Sequence, residues 1–449
     1  MNTEDPPAMD PLPASVVIAG GGPAGFSVAR ELRRLGFSGR VTIADPQGVP
    51  YDRPPLSKAF LAGGAGPEAL ALADAGWYAE QQVVVVPEAV AELLSADPQG
   101  GSGDDGDDDG GGGGDDGDTD TPARSRRPAG VRLASGRVLH ADTVVLATGA
   151  RARTLPLPGA RLPGVQTLRT AADALRLRAA LRPGSRLAVL GAGLIGAEVA
   201  ATAGTLGADV VLIDPDPLPL AGAAGPEMAR YLRGLHQSHG IVLHTGRPAA
   251  IGRSGSGLLV TTAEGEGFPA DAVLVAVGAE PDTALAAAAG LEIDGGIVVD
   301  AAGRTSRPAV FAAGDAIRVR NAAGALLRRS EHWEAATRSG AAAAAGIMGL
   351  PPGPTTGPGA SWFWTDRHGV HMEVVGDMTA AGVTVLRGEP GPGFMAFRLA
   401  PSGVLAGAAA VDGGVAVRAV RRIIEAGIPV EAGQLADPQT DLRRLARRR

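Results

Sequence analysis

The chain has 449 residues, 45% of them apolar but only 3% aromatic, with 67 glycines; this length suits two or three domains, and this composition suits close helix-on-sheet packing better than an aromatic-rich barrel. Its formal net charge of -7 is local, because nine aspartates between Asp104 and Asp120, set against Arg124, Arg126 and Arg127, supply six of those seven charges. Cysteine is absent, which excludes disulfides, thiolate metal sites, iron-sulfur ligation by this chain and any cysteine-based redox relay.

The opening MNTEDPPAMDPLP has no basic segment followed by an apolar core, and no long, uncharged, strongly apolar run occurs anywhere; a cytoplasmic protein without a membrane segment is expected. The first element is a buried strand, Val16 to Ala19, that runs straight into Gly20-Gly21-Gly22-Pro23-Ala24-Gly25. A helix follows, with Ala24, Val28, Leu32 and Leu35 at helical spacing and Gly36 as its stop, and then a strand from Val41 to Ala44 that ends in Asp45. This is a complete βαβ dinucleotide unit. Gly20 permits the tight turn, Gly22 lets backbone approach a pyrophosphate, Gly25 lets the helix pack on the strand, and the helix N-terminus offers free N–H groups. Asp45, 23 residues after Gly22, is placed to accept from a ribose hydroxyl.

From about residue 97 to 128 the chain is Gly/Asp-rich and lacks apolar periodicity, so a disordered, solvated insertion is expected. It offers no calcium loop, since the closing Glu is missing. A strand then leads into Ala147-Thr148-Gly149. The glycine pattern next returns: Leu187 to Leu190 leads into Gly191-Ala192-Gly193-Leu194-Ile195-Gly196, a helix through Val199 and Leu206, and a strand from Val210 to Ile213 ending in Asp214. Asp214 lies 21 residues after Gly193. One such pattern in a glycine-rich chain is weak evidence; two complete units of the right length imply two dinucleotide sites. Asp214-Pro215-Asp216 would repel a 2'-phosphate, so the second site is expected to prefer NADH to NADPH. Further strand-turn elements run from Val273 to Gly278 and from Val310 through Gly314-Asp315-Ala316. The basic C-terminal DLRRLARRR reads as a solvated helix end, no metal-ligand spacing is apparent among the seven histidines, and neither a nucleic-acid nor a membrane partner is expected.

This arrangement resembles the two-dinucleotide flavoprotein oxidoreductases, in which the first site holds FAD and the inserted second holds NAD(P)H. Branches of that fold that need a redox cysteine are excluded. What remains resembles, from about Ser15 to Leu445, the FAD-dependent NADH:ferredoxin reductases of bacterial oxygenase systems, the putidaredoxin reductase and biphenyl dioxygenase reductase type. Three further segments carry the likeness: Pro50 to Lys58 (PYDRPPLSK), Glu331 to Ala335 (EHWEA) and Ser361 to Asp366 (SWFWTD). Where relatives have a short hairpin between Leu93 and Val131, this chain carries its Gly/Asp insertion.

The resemblance implies an α/β fold with two Rossmann-like domains and a C-terminal α+β domain. The FAD domain would span 11–151 and 279–350, the NADH domain 152–278 and the last domain 351–449. It also implies that Arg53 and Lys58 line the FAD, Asp315 contacts its ribityl and pyrophosphate region, Glu198 pairs with Lys58, and Trp333 and Trp364 lie near flavin and nicotinamide. Thr148, Gly149 and Gly278 belong to the cofactor turns. Lys58 stands out without any family: it is the chain's only lysine, and a compact ammonium suits charge stabilisation at a flavin edge where a planar guanidinium is too wide. Purely structural alternatives stay open for several residues: Lys58 on the surface, Glu198 on an ordinary helix face, Trp333 in the core and Asp315 as a helix N-cap. The expected activity is hydride transfer from NADH to FAD, then single-electron transfer to a [2Fe-2S] ferredoxin that feeds a cytochrome P450 or Rieske-type oxygenase. Two alternatives keep the same cofactors: an NADH oxidase or quinone reductase, and an NADH-sensing flavoprotein of apoptosis-inducing-factor type. A monomer and a dimer are both compatible with the sequence.

Overall fold

The computed structural model describes residues 11–95, 128–351, 353 and 359–447. The Gly/Asp-rich stretch expected to be disordered lies outside the described residues, apart from Pro128. The strands on either side of it, Val90–Ser95 and Pro128–Leu133, form an antiparallel hairpin in which Leu93 pairs with Val131.

Five parallel strands make the first sheet, in the order 310–312, 143–146, 15–19, 40–44, 83–86. Its central strand, Ser15–Ala19, is buried along its whole length, which explains the unbroken apolar run in the sequence. Helix Pro23–Arg34 covers one face together with helix Trp333–Ile347. The two helices meet closely at Gly340, where a Cβ would stand 2.4 Å from the Ala24 carbonyl oxygen. The first helix ends at Leu35, and Gly36 follows with φ +84°, the left-handed residue that terminates helices.

A second five-stranded parallel sheet has the order 242–245, 209–214, 186–190, 272–275, 165–166. Between the sheets, Ala150–Ala152 pairs antiparallel with Ala279–Pro281; these strands carry the chain out of the first unit and back. The strand-turn element expected from Val273 to Gly278 is the strand Ala272–Val275 followed by a turn whose Ala276 and Gly278 line the cavity described below.

The last unit is a five-stranded antiparallel sheet, order 362–367, 370–376, 405–411, 395–399, 383–387, with helix Val415–Glu425 packed on it. Its first hairpin turns through His368 and Gly369, both with positive φ (51° and 75°), the combination that a tight type I' turn requires. The C-terminal basic segment is more than a solvated end: Leu442 and Leu445 are buried, so helix Leu442–Leu445 docks by one face. No helix among the described residues is long and apolar enough to cross a membrane.

Candidate functional site: two nucleotide cradles on one cavity

Both glycine turns are built alike. Gly20 has φ +110°, and a Cβ there would stand 2.3 Å from the Ala147 carbonyl oxygen; at Gly25 it would stand 2.0 Å from the Gly20 carbonyl oxygen. In the second turn Gly191 has φ +100°, and a Cβ at Gly196 would again stand 2.0 Å from the oxygen of Gly191. Each turn opens a 12-residue helix, Pro23–Arg34 or Leu194–Thr205, whose N-cap is a glycine without a side-chain cap bond. The N–H groups of both first turns therefore lack a protein side chain to satisfy them, which is the donor set that binds an anion.

The strand-end acids also match. Asp45 Oδ2 accepts from the Gly21 N–H at 2.5 Å and its Oδ1 from the Gln47 N–H at 2.7 Å. Asp214 Oδ2 accepts from the Ala192 N–H at 2.7 Å and its Oδ1 from the Asp216 N–H at 2.8 Å. Each carboxylate thus ties the tip of its glycine turn to the end of the next strand, and each oxygen keeps a second lone pair.

The two helix N-termini open onto a shared cavity of about 380 Å³, with Gly22, Pro23 and Ala24 on one side and Gly193, Leu194 and Ile195 on the other. Arg53 closes the first side. Its Nη1 would lie 2.6 Å from a Cβ at Gly22, and its Nε is buried without a hydrogen-bond partner. Burial above all, and then the nearby Arg169 guanidinium, lowers the Arg53 pKa. A buried, partly unsatisfied guanidinium beside bare helix N–H groups is the chemistry that holds a pyrophosphate, so the first cradle fits FAD. Asp315 lines the same wall and accepts from Arg169 Nη2 at 2.8 Å. It caps no helix: its short 3₁₀ turn, Gly314–Ala316, runs directly into a strand.

Lys58 and Glu198 form the cavity's charged corner, with Asp366 paired to Lys58 just behind it. Lys58 Nζ lies 2.7 Å from Asp366 Oδ2 and 3.4 Å from Glu198 Oε1. Glu198 is buried on its helix and accepts from the Ser57 hydroxyl at 2.5 Å and the Thr365 hydroxyl at 2.8 Å. Neither residue is the plain surface group that its sequence position allows. Burial raises the Asp366 pKa, but hydrogen bonds from Lys58 and His371 outweigh it and leave the carboxyl below its ordinary value. Behind this corner Arg367 is fully enclosed; burial pushes it down to about 10 against the raising effect of Glu198.

Trp333 lines the cavity, and its indole N–H donates to Asp52 Oδ1 at 2.7 Å. Burial raises the Asp52 pKa despite that bond. Trp364 stands edge-on to Trp333 at 6.3 Å between centroids, and Lys58 Nζ lies 5.5 Å from the Trp364 ring centroid. Gly149, Gly278 and Gly314 also reach the cavity, whereas the Thr148 hydroxyl turns away to donate to the Asp282 carbonyl at 2.6 Å. Sequence reasoning assigned no role to Asp366, Asp52 or Arg169. The first two lie inside segments singled out for other residues, and nothing in their spacing indicates their partners. Among the described residues no cluster could hold a metal ion.

Residues 14–340 match the family model described as pyridine nucleotide-disulphide oxidoreductase, and residues 362–446 match the one described as reductase C-terminal. The benzene 1,2-dioxygenase system ferredoxin–NAD(+) reductase subunit of Pseudomonas putida is 36% identical, over 96% of this chain and 97% of that protein. Rhodocoxin reductase of Rhodococcus erythropolis is 34% identical, over 96% and 93%. Two solved structures are similar throughout. The ferredoxin reductase for the CYP199A2 system from Rhodopseudomonas palustris has TM-score 0.84 and 32% identity, covering 96% of this chain and all of that one. The covalent putidaredoxin reductase–putidaredoxin complex has TM-score 0.83 and 30% identity, covering 96% and 98%.

Proposed function

The chain belongs to the pyridine nucleotide-disulphide oxidoreductase family, and from that premise we propose that it is an NADH-dependent, FAD-containing reductase that passes single electrons to a [2Fe-2S] ferredoxin of an oxygenase system. The observation that carries the proposal is the pair of dinucleotide cradles opening onto one cavity with a lysine–carboxylate corner, in a chain without cysteine. A disulphide chemistry is thereby closed to it, and the relatives named for ferredoxin reduction supply the acceptor.

Bound in the first cradle, FAD would supply the ring that takes a hydride and gives up electrons singly. Arg53 and the N-terminus of helix Pro23–Arg34 would hold its pyrophosphate, Asp45 would accept from a ribose hydroxyl, and Asp315, fixed by Arg169, would hold the ribityl and pyrophosphate region. Gly193, Leu194 and Ile195 present the second N-terminus to NADH. Asp214 and Asp216 favour a free 2'-hydroxyl over a 2'-phosphate, because a dianion beside two carboxylates is repelled. Lys58 would place positive charge where negative charge develops on hydride arrival, and its ion pairs with Glu198 and Asp366 hold that side chain in position. Trp333, tethered by Asp52, and Trp364 would wall the nicotinamide side and exclude water. A cytoplasmic location accords with this partner set.

Anaerobic mixing of the purified yellow protein with NADH or NADPH tests the reading. Fast bleaching by NADH, slow bleaching by NADPH and rapid return of colour on adding an oxidised [2Fe-2S] ferredoxin are expected. Recolouring by oxygen or a quinone but by no ferredoxin would replace it with an oxidase or quinone-reductase reading.

A further inference from the structure

One histidine next to the charged corner has no part in the reading so far. His371 sits on strand Val370–Gly376, paired in register with Asp366 on strand Trp362–Arg367. Its Nδ1 lies 2.6 Å from Asp366 Oδ1, while the other oxygen of the same carboxylate lies 2.7 Å from Lys58 Nζ. One carboxylate therefore bridges an imidazole whose side chain is 42% exposed and an ammonium on the cavity wall. With Nδ1–H donating to Asp366, Nε2 is the nitrogen free to take up a proton, and it faces Glu373 Oε2 at 3.9 Å. Asp412 faces the residue from the neighbouring strand end, accepting from the His371 backbone N–H at 3.2 Å. The charged groups around the ring are thus Asp366, Glu373 and Asp412, with Lys58 and Glu198 beyond Asp366.

We infer that His371 is a positioning residue that sets, through Asp366, how much positive charge Lys58 presents to the cavity. When the ring is neutral, the Asp366 carboxylate is balanced by Lys58 alone. When Nε2 is protonated, the carboxylate is shared between two cations, and the net positive charge at the cavity wall rises. A hydride brings negative charge to the acceptor, so the protonated state favours its arrival. Burial of Asp366 alone would oppose its ionisation, and the hydrogen bonds from Lys58 and His371 jointly overcome this, as expected of a carboxylate shared by two donors.

The inference rests on the reading that Lys58 faces the flavin, but its first and deciding readout requires neither NADH nor ferredoxin. Lys58 is the only lysine in the chain, so isotope-labelled lysine gives a single side-chain NMR signal from the FAD-bound protein. That signal should move in one step as the pH falls and the imidazole takes up its second proton. In His371→Asn the step should vanish, and in His371→Arg, a permanent cation, the signal should stay near its low-pH position. The rate of flavin bleaching by NADH should rise about threefold across the same step, the scale of a partly exposed ion pair. It should be flat with pH in both variants, low in the Asn form and high in the Arg form. A histidine that only supports the fold would shift both variants in the same direction. A lysine signal that does not titrate in the wild-type protein, or that titrates unchanged in His371→Asn, would overturn the inference.

Discussion

The two nucleotide cradles share one turn geometry and differ in what surrounds it. Asp45 grips the Gly21 N–H as Asp214 grips the Ala192 N–H, and Gly20 and Gly191 both adopt positive φ under a neighbouring carbonyl. Around the first turn, however, Arg53 lies against Gly22, Ala24 touches Gly314, and helix Trp333–Ile347 packs through Gly340 onto the cradle helix. Around the second, a Cβ at Gly193 or Gly278 would meet nothing within 4 Å, and Ile195 is 41% exposed. Fingerprint residues make a turn; contacts from distant parts of the chain decide whether it encloses its ligand. A closed first cradle suits a resident cofactor and an open second one suits a nucleotide that exchanges at every turnover.

The largest effect should come from filling the closed turn. Gly25→Val places carbon where the Gly20 carbonyl already stands, so the purified protein should be colourless and melt at lower temperature, read by flavin absorbance and calorimetry. Gly193→Ala has room and should keep flavin and fold while weakening NADH binding; loss of flavin from it would break the comparison. Next, Lys58→Ala should retain FAD but slow its reduction by NADH about 100-fold or more in anaerobic stopped flow, the scale of removing one preorganised donor from a reacting centre. An unchanged rate would remove Lys58 from the mechanism. Asp214→Ala should narrow the preference for NADH over NADPH by about tenfold, whereas Asp45→Ala should loosen FAD and leave that preference intact. Equal effects on both ligands from either change would erase the distinction between the cradles.

The smallest effect concerns acid. His236, on the helix Pro226–Ser238 of the second unit, bonds to His368 in the C-terminal hairpin at 3.0 Å. Burial, followed by repulsion from Arg367, lowers the His236 pKa to about 3. The folded-state value lies below that of an unfolded histidine, about 6.5, so between the two the unfolded chain binds the extra proton and stability falls as pH drops. Melting should decline from pH 7 to pH 5 by on the order of 2 °C more in the wild-type protein than in His236→Leu. Equal slopes would show that this contact does not titrate across the unit boundary.

Much of this was legible because the cradles are local. Strand, glycine turn, helix and acid lie within one short stretch, and both units fold where the pattern puts them. The charged corner is another matter. Thr365 reaches Glu198 across 167 residues, and Trp333 reaches Asp52 across 281; no spacing rule predicts such meetings. The pairing of Lys58 with Glu198 came from resemblance, while Asp366, the nearer partner at 2.7 Å, was visible only as part of the SWFWTD segment. Thr148 shows the converse, since its place in the turn after a strand is legible but the direction of its hydroxyl is set by the Asp282 carbonyl.

The central claim is that a hydride delivered at the open cradle leaves the closed one as two separate electrons. An anaerobic titration of a catalytic amount of this protein and an excess of oxidised [2Fe-2S] ferredoxin with NADH measures that conversion directly. The account predicts two ferredoxins reduced for each NADH consumed, with one proton released. Flavin that bleaches with NADH and stays bleached in the presence of every ferredoxin offered would contradict it.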